Sequence, residues 1–281
     1  MNRKPSATRR WLSGAGAIVL AALWAFPVYW MINSSFLPTS TLTALTPTFL
    51  PFGGSWANFH AVLFQSGFTR ALGWSIAITM ITLVVAIAFA FVAALAISRF
   101  RFRGRRSFVL VVLLVQMLPA EALFIAQYQM ISSVHLLNTV IGVSIIYIAV
   151  VIPFTVWMLR GFVAGIPVDL EEAAMVDGLS RNRAFLKITF PLLAPGLVAA
   201  AVYGFLQAWN EFAVALILLP DGDKQTLPLW LRGFIQSSAV QTTNWGQVMA
   251  ASTLVAVPVI VFFMFVQGRM TAGLVGGAVK G

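Results

Sequence analysis

Residues 172–191 read EAAMVDGLSRNRAFLKITFP and hold Glu172, Asp177, Arg181, Arg183 and Lys187, in a chain where only 9% of residues are charged. The runs on either side, 138–159 and 190–219, are almost wholly apolar. Placing one such charge at the centre of a hydrocarbon layer costs about 3 kcal/mol or more. The stretch is therefore a loop at a membrane surface, and the runs beside it are spans. Its residues suit docking to another protein and do not compose an active site.

Working outward, 60% of the 281 residues are hydrophobic and the mean hydropathy is +0.91, which no water-facing globular surface tolerates. Crossing roughly 30 Å of hydrocarbon takes about 20 apolar helical residues. Six segments meet that need, at about 11–32, 71–97, 108–127, 138–159, 190–219 and 248–267. They are continuous and lack the alternation of barrel strands, so they are helices. The expected fold is an all-α membrane protein, one domain over 1–281 with six transmembrane helices and a functional loop at about 160–190. Five of the six spans carry a proline, at Pro27, Pro119, Pro153, Pro195 and Pro258, and kinks there would suit a path that opens alternately to two sides.

Lys and Arg are retained on the cytoplasmic side of spans. Arg3, Lys4, Arg9, Arg10, the arginines from Arg99 to Arg106, Arg160, Arg181, Arg183, Lys187, Arg269 and Lys280 fall on one side; only Arg70, Lys224 and Arg232 fall on the other. Both termini and the 172–191 loop are therefore expected in the cytoplasm. The net charge of +10 follows from this topology and is not a nucleic-acid footprint, which would need a soluble domain. The basic N-terminus with its apolar run is read as a retained first span, since the run is too long for a cleaved signal. With no cysteine, disulfides, thiolate metal sites and cysteine nucleophiles are excluded, and His60 and His135 read as separate interfacial residues. Of the outward segments, 34–70 predicts an irregular stretch followed by a short interfacial helix, and 221–247 is polar with Trp230, Phe234 and Trp245 interspersed.

Within the loop, Pro167, Asp169 and Glu172 have the spacing of a helix start with a capping box. Leu170, Ala173, Ala174 and Asp177 share one helical face, where two alanines would permit close approach of a partner. Gly178 suits a left-handed turn that ends this helix, and a second short helix over 181–188 would lead through Pro191 into the fifth span.

The order Glu172-Ala173-Ala174, Gly178, Ile188, a bulky apolar residue and Pro191 resembles the EAA loop of membrane subunits of binding-protein-dependent ABC importers. Phe190 stands where that family usually has leucine. The run Arg99-Phe100-Arg101-Phe102-Arg103-Gly104, Leu118-Pro119, Leu136-Leu137-Asn138-Thr139, Trp209-Asn210-Glu211-Phe212 and the ending Gly277-Ala278-Val279-Lys280-Gly281 are similar to carbohydrate-type permeases, the ending to the second permease of maltose-type systems. The resemblance implies a type I ABC importer permease architecture and an ATP-driven import of a carbohydrate, whether a di- or oligosaccharide, a polyol or a glycerol-phosphate-type substrate. It implies that Glu172, Ala173, Ala174, Asp177, Gly178, Ile188 and Pro191 dock a coupling helix on an ATPase subunit, with Lys280 as a secondary contact. It also implies partners: a second permease in a heterodimer, two ATP-binding cassette subunits, an extracytoplasmic sugar-binding protein and the lipid bilayer of a bacterial or archaeal cytoplasmic membrane. The sequence has no G-x-x-x-x-G-K-[ST] run, so ATP and Mg belong on the ATPase subunits, and this chain is expected to carry no cofactor, metal or catalytic residue.

Glu121 and Glu211 are the ionisable residues inside the expected spans, and an intramembrane carboxylate faces a polar cavity or a partner. With Gln116, Gln207 and Asn210 they compose a lining suited to sugar hydroxyls, and Trp209 offers a ring for stacking. Asn210 and Glu211 equally suit a structural role between helices. Two other functions fit parts of the pattern: an ion-coupled secondary transporter acting alone, which commonly shows internal repeats not visible here, and an ABC permease for amino acids, peptides or metals.

Overall fold

The computed structural model describes residues 7–241 and 243–278, and every regular element among them is helical. Lys280, Arg3 and Lys4 lie outside the described residues. Four helices are long and apolar enough to cross a membrane: Gly14–Ser35, Phe68–Arg99, Val140–Ala164 and Trp245–Gly268. Two bent pairs bring the number to six if each is one span.

The bends mark where local chemistry overrides the apolar pattern. The expected span at 108–127 is not straight: Arg105–Gln116 and Ala120–Ser133 meet at 93° across Leu118-Pro119. Pro119 has extended ψ of 122° and has no N–H to continue the ladder, while its ring disfavours helical geometry at Leu118. The second pair, Arg181–Leu192 and Ala194–Asn210, bends by 60° at Leu193. Pro195 then sits in the first turn of Ala194–Asn210, where a missing N–H costs nothing, so it starts a helix and does not kink one. Pro27, Pro153 and Pro258 do lie inside helices.

The chain divides into two compact units, 1–68 with 231–257 and 69–230 with 258–281. In the first unit, Asn58 closes the turn after Ala7–Ser35, its Nδ2 donating to the carbonyls of Ser35 at 3.0 Å and Leu37 at 2.9 Å. Thr39 Oγ1 donates to Asn244 Oδ1 at 2.7 Å, and a Cβ at Gly246 would come within 2.5 Å of both Asn58 Nδ2 and the Leu37 carbonyl. Phe36, Trp56 and Phe59 pack ring on ring beside the short Ala57–Gln65 helix, which the sequence anticipates.

The core of the second unit is built on small residues. Ala86, Ala90 and Ala94 are fully buried along one stripe of Phe68–Arg99. Ala90, Ala94 and Ile97 pack with Val156 and Leu159 of Val140–Ala164 and with Ala200 of Ala194–Asn210. Without a hydrophobic drive between helices in lipid, close backbone approach supplies the attraction through dispersion. Gly204 allows the same closeness, a Cβ there lying 3.1 Å from Leu83 and 3.5 Å from Val151. A second cluster, including Ile78, Ile131, Ile146, Tyr147, Val214 and Leu218, holds the Phe124–Ser133 and Ala213–Leu218 segments on the same helices. Leu218 accepts the Asn138 N–H at 2.9 Å, and Asn138 Oδ1 accepts from the Asp221 N–H at 3.1 Å, joining two connections.

Candidate functional site

The short helix expected after Pro167 is Asp169–Val176. It starts without the capping box: Asp169 is already helical, and the Glu171 and Glu172 N–H groups donate to the Val168 carbonyl at 2.9 and 3.2 Å. The acidic first turn still complements the positive end of the helix dipole. The C-terminus closes in a Schellman motif, with the Leu179 N–H donating to Ala174 at 3.1 Å and the Gly178 N–H to Met175 at 3.0 Å. Gly178 has φ of +89°, the left-handed conformation that glycine adopts without penalty.

The shared face read from the sequence divides. Leu170, Ala173 and Asp177 are exposed, with Glu172, Met175 and Val176 beside them, whereas Ala174 is buried by its own chain. Ile188 is half-buried and Pro191 exposed. The following segment, Arg181–Ala184, runs into one π-helical stretch, Phe185–Thr189, and then Phe190–Leu192.

Glu171 is the functional candidate that sequence reasoning missed. Its Oε1 accepts from Thr189 Oγ1 at 2.7 Å and lies 3.2 Å from Arg99 Nη2, with the Glu171 and Arg99 side chains only 11% and 13% exposed. The one available signal was a doubled glutamate facing the arginine-rich run after the second span. Nothing in their spacing says which arginine meets which glutamate.

The Trp209-Asn210-Glu211-Phe212 motif is a break inside the expected span 190–219. Ala194–Asn210 ends, Glu211 turns extended with ψ of 131°, and Ala213–Leu218 begins. The Glu211 carboxylate takes the freed donors, accepting from the Val214 N–H at 2.7 Å and the Ala215 N–H at 3.1 Å, and from the Tyr147 hydroxyl at 2.5 Å. Trp209 is 2% exposed and stacks on Phe205 at 5.5 Å, which stacks on Phe262 at 4.0 Å. Burial leaves that ring no open face for a sugar. Asn210 is exposed and its Nδ2 returns to the Leu206 carbonyl at 2.9 Å.

Two cavities bring the remaining pathway residues together. One, of about 400 Å³, is lined by Gln116, Gln127, Met130, Pro153 and Tyr203 among others. The other, of 170 Å³, is lined by Glu121, Phe124, Tyr147, Gln207 and Glu211. Ala120 and Val150 border both, so the two adjoin. Gln127, Tyr147 and Tyr203 were not anticipated, because the 93° bend that turns Phe124–Ser133 is invisible in a hydropathy pattern. No lysine or arginine lines either cavity.

Bent and continuous apolar helices, an exposed charged helix between two of them and amide-lined cavities define a helical membrane transport subunit. The chain belongs to the family of binding-protein-dependent transport system inner membrane components, whose model matches residues 86–274. It is 38% identical over 265 residues to the diacetylchitobiose uptake system permease protein DasC of Streptomyces coelicolor, covering 94% of this chain and 95% of that one. It is 35% identical to the trehalose transport system permease protein SugB of Mycobacterium tuberculosis, over 91% of this chain and 92% of the relative. The trehalose/maltose transport system permease protein MalG of Thermococcus litoralis is 32% identical, with 95% of each chain covered. In fold, the chain matches a bacterial ABC transporter involved in import of the acidic polysaccharide alginate, with a TM-score of 0.77 over 95% of this chain and 99% of that one at 22% identity. The expected all-α permease fold and the family resemblance therefore hold.

Proposed function

We propose that this chain is one permease of an ATP-driven importer for a neutral saccharide, coupling closure of separate ATPase subunits to passage of the sugar. The Asp169–Val176 helix carries this reading. It is short and charged, yet it exposes Leu170, Met175 and Val176, the last at 87%. An apolar surface on so small an element favours cover by a partner protein. In this reading Glu172, Ala173, Asp177 and Gly178 meet an ATPase groove, Ala174 sets the seat of the helix, and Ile188 and Pro191 shape its return to the membrane. The ATPase subunits hold ATP and Mg, a second permease completes the path, and an external binding protein delivers the cargo. The arginine-rich 99–106 segment and both termini face the cytoplasm.

The cavity lining supports the neutral cargo. Gln116, Gln127, Gln207 and Tyr203 match hydroxyl groups, while Glu121 and the absence of lining cations disfavour a uronate or phosphate. The curated relatives named for diacetylchitobiose and trehalose agree with that class.

The test is purification from the native membrane, then reconstitution with the co-purified subunits and binding protein. Recovery of ATPase subunits and ATP-dependent uptake of labelled diacetylchitobiose or trehalose supports the reading. Uptake by this chain alone, driven by an ion gradient, overturns it.

A further inference from the structure

Arg99, Glu171 and Thr189 belong to three elements that also pack on one another, Phe91 of the second span lying against Phe185 and Phe190. Arg99 is the last residue of Phe68–Arg99, Glu171 lies in the first turn of Asp169–Val176, and Thr189 closes the π-helical stretch that leads to Ala194–Asn210. Thr189 is fully buried, and both charged side chains are nearly so. Pairing at this depth does little for stability, because desolvation offsets the attraction. The bonding is also incomplete: Arg99 Nε and Nη2 are both buried without a hydrogen-bond partner, so the 3.2 Å contact to Glu171 is an ion pair alone. A half-satisfied ionic node is expensive to keep unless it performs a task.

Two neighbouring features fit a node that rearranges. A cavity of 390 Å³, bordered by Leu95, Phe100, Arg181 and Phe185, adjoins Arg99 and Glu171 and leaves the guanidinium room to move. The π-helical turn at Thr189 carries a looser hydrogen-bond register than an α-helix, and such turns recur at functional sites.

We propose that Arg99, Glu171 and Thr189 are positioning residues that clasp the Asp169–Val176 helix to Phe68–Arg99 and to the segment leading into Ala194–Asn210, whose Tyr203 and Gln207 line the cavities, so that displacement of the short helix is passed to that lining and is not absorbed locally. This rests on the importer reading above. Glu171 makes no contact with the ATPase in this account; it faces inward and acts through Arg99 and Thr189.

The chain contains no cysteine, so a single reporter can be introduced cleanly. Ala149→Cys borders the larger cavity, and its labelling by a charged maleimide reports opening. The assembled complex is compared in membrane discs with and without vanadate trapping in ATP and Mg. In the otherwise unsubstituted reporter complex, trapping should change the labelling rate by about tenfold, and in Glu171→Gln or Arg99→Gln that change should shrink by about fivefold while ATPase recovery and hydrolysis stay within about twofold. The exchanged pair Arg99→Glu with Glu171→Arg should restore part of the response. An unchanged labelling response in Glu171→Gln at full recovery overturns the clasp. Should Glu171→Gln or Arg99→Gln reduce recovery of the ATPase subunits, Thr189→Val decides: it keeps the volume and removes one hydrogen bond, so lost response at full recovery supports the clasp and a normal response overturns it. If the reporter complex lacks ATPase subunits before any of these changes, the importer reading itself fails, an outcome distinct from failure of the clasp alone.

Discussion

The Tyr147 hydroxyl donates to Glu211 Oε2 at 2.5 Å, and the same carboxylate accepts the N–H groups of Val214 and Ala215. An intramembrane glutamate is thereby occupied by the fold: it caps the helix that restarts after the break at 211–212. Removing it strands several donors, whereas removing Tyr147's hydroxyl strands none of the backbone groups. Glu211→Ala is expected to destabilise by about 2–4 kcal/mol and Tyr147→Phe by about 1 kcal/mol. Thermal unfolding in detergent, followed by tryptophan fluorescence, checks the order; equal losses would show that the cap contributes nothing.

Gly178 tests the turn that ends Asp169–Val176. A Cβ there meets no atom within 4 Å, so the cost of a side chain comes from the backbone conformation alone. Gly178→Ala should cost about 1 kcal/mol, and Gly178→Asn less, since asparagine tolerates the left-handed region. Gly178→Asp adds a charge beside Asp177 and should reduce recovery of ATPase subunits more than Gly178→Asn does. Normal ATP-driven uptake by Gly178→Asp would remove this turn from the docking surface.

Gly196 tests packing between two membrane helices. A Cβ would lie 2.5 Å from Phe162 Cγ and 2.9 Å from its Cβ, so the whole ring must move and not merely its tip. Gly196→Ala should destabilise by about 1–3 kcal/mol, and Gly204→Ala, whose nearest contact is a leucine methyl, by less. The double variant Gly196→Ala with Phe162→Ala should lose less than the sum of the two single losses in the same unfolding assay; additive damage would contradict the contact.

The amide-lined cavities carry a kinetic expectation. Gln207→Ala and Gln116→Ala should each raise the KM for uptake about three- to tenfold, the worth of one neutral hydrogen bond, with little change in basal ATP hydrolysis. Glu121→Gln keeps shape and acceptor capacity, so affinity for a neutral sugar should hold while discrimination against an acidic one weakens. Unaltered KM in both glutamine variants would place the sugar path elsewhere.

Much was legible in the chain itself. Apolar runs and their flanking charges established a helical membrane subunit, because the bilayer demands internal backbone pairing over a set length. The spacing from Glu172 to Pro191 located the short helix and its glycine turn, since both depend on local backbone preference. Other features came only from tertiary structure. Pro119 announced a disturbance, yet not a 93° turn that brings Gln127 beside Gln116 and Tyr203. Trp209 read as a stacking platform until Phe205 and Phe262 were found against it. Glu171 is one of two adjacent glutamates, and only its neighbour Glu172 belongs to the Glu-Ala-Ala order. Arg105–Gln116, Ala120–Ser133 and Val140–Ala164 lie between Arg99 and Glu171 in sequence, and no period or propensity joins the two. The apolar runs and the glycine turn at Gly178 are set by interactions within a few residues, so the sequence determined them. Which buried polar groups meet across helices depends on packing angle and bend, and only the folded chain decided that.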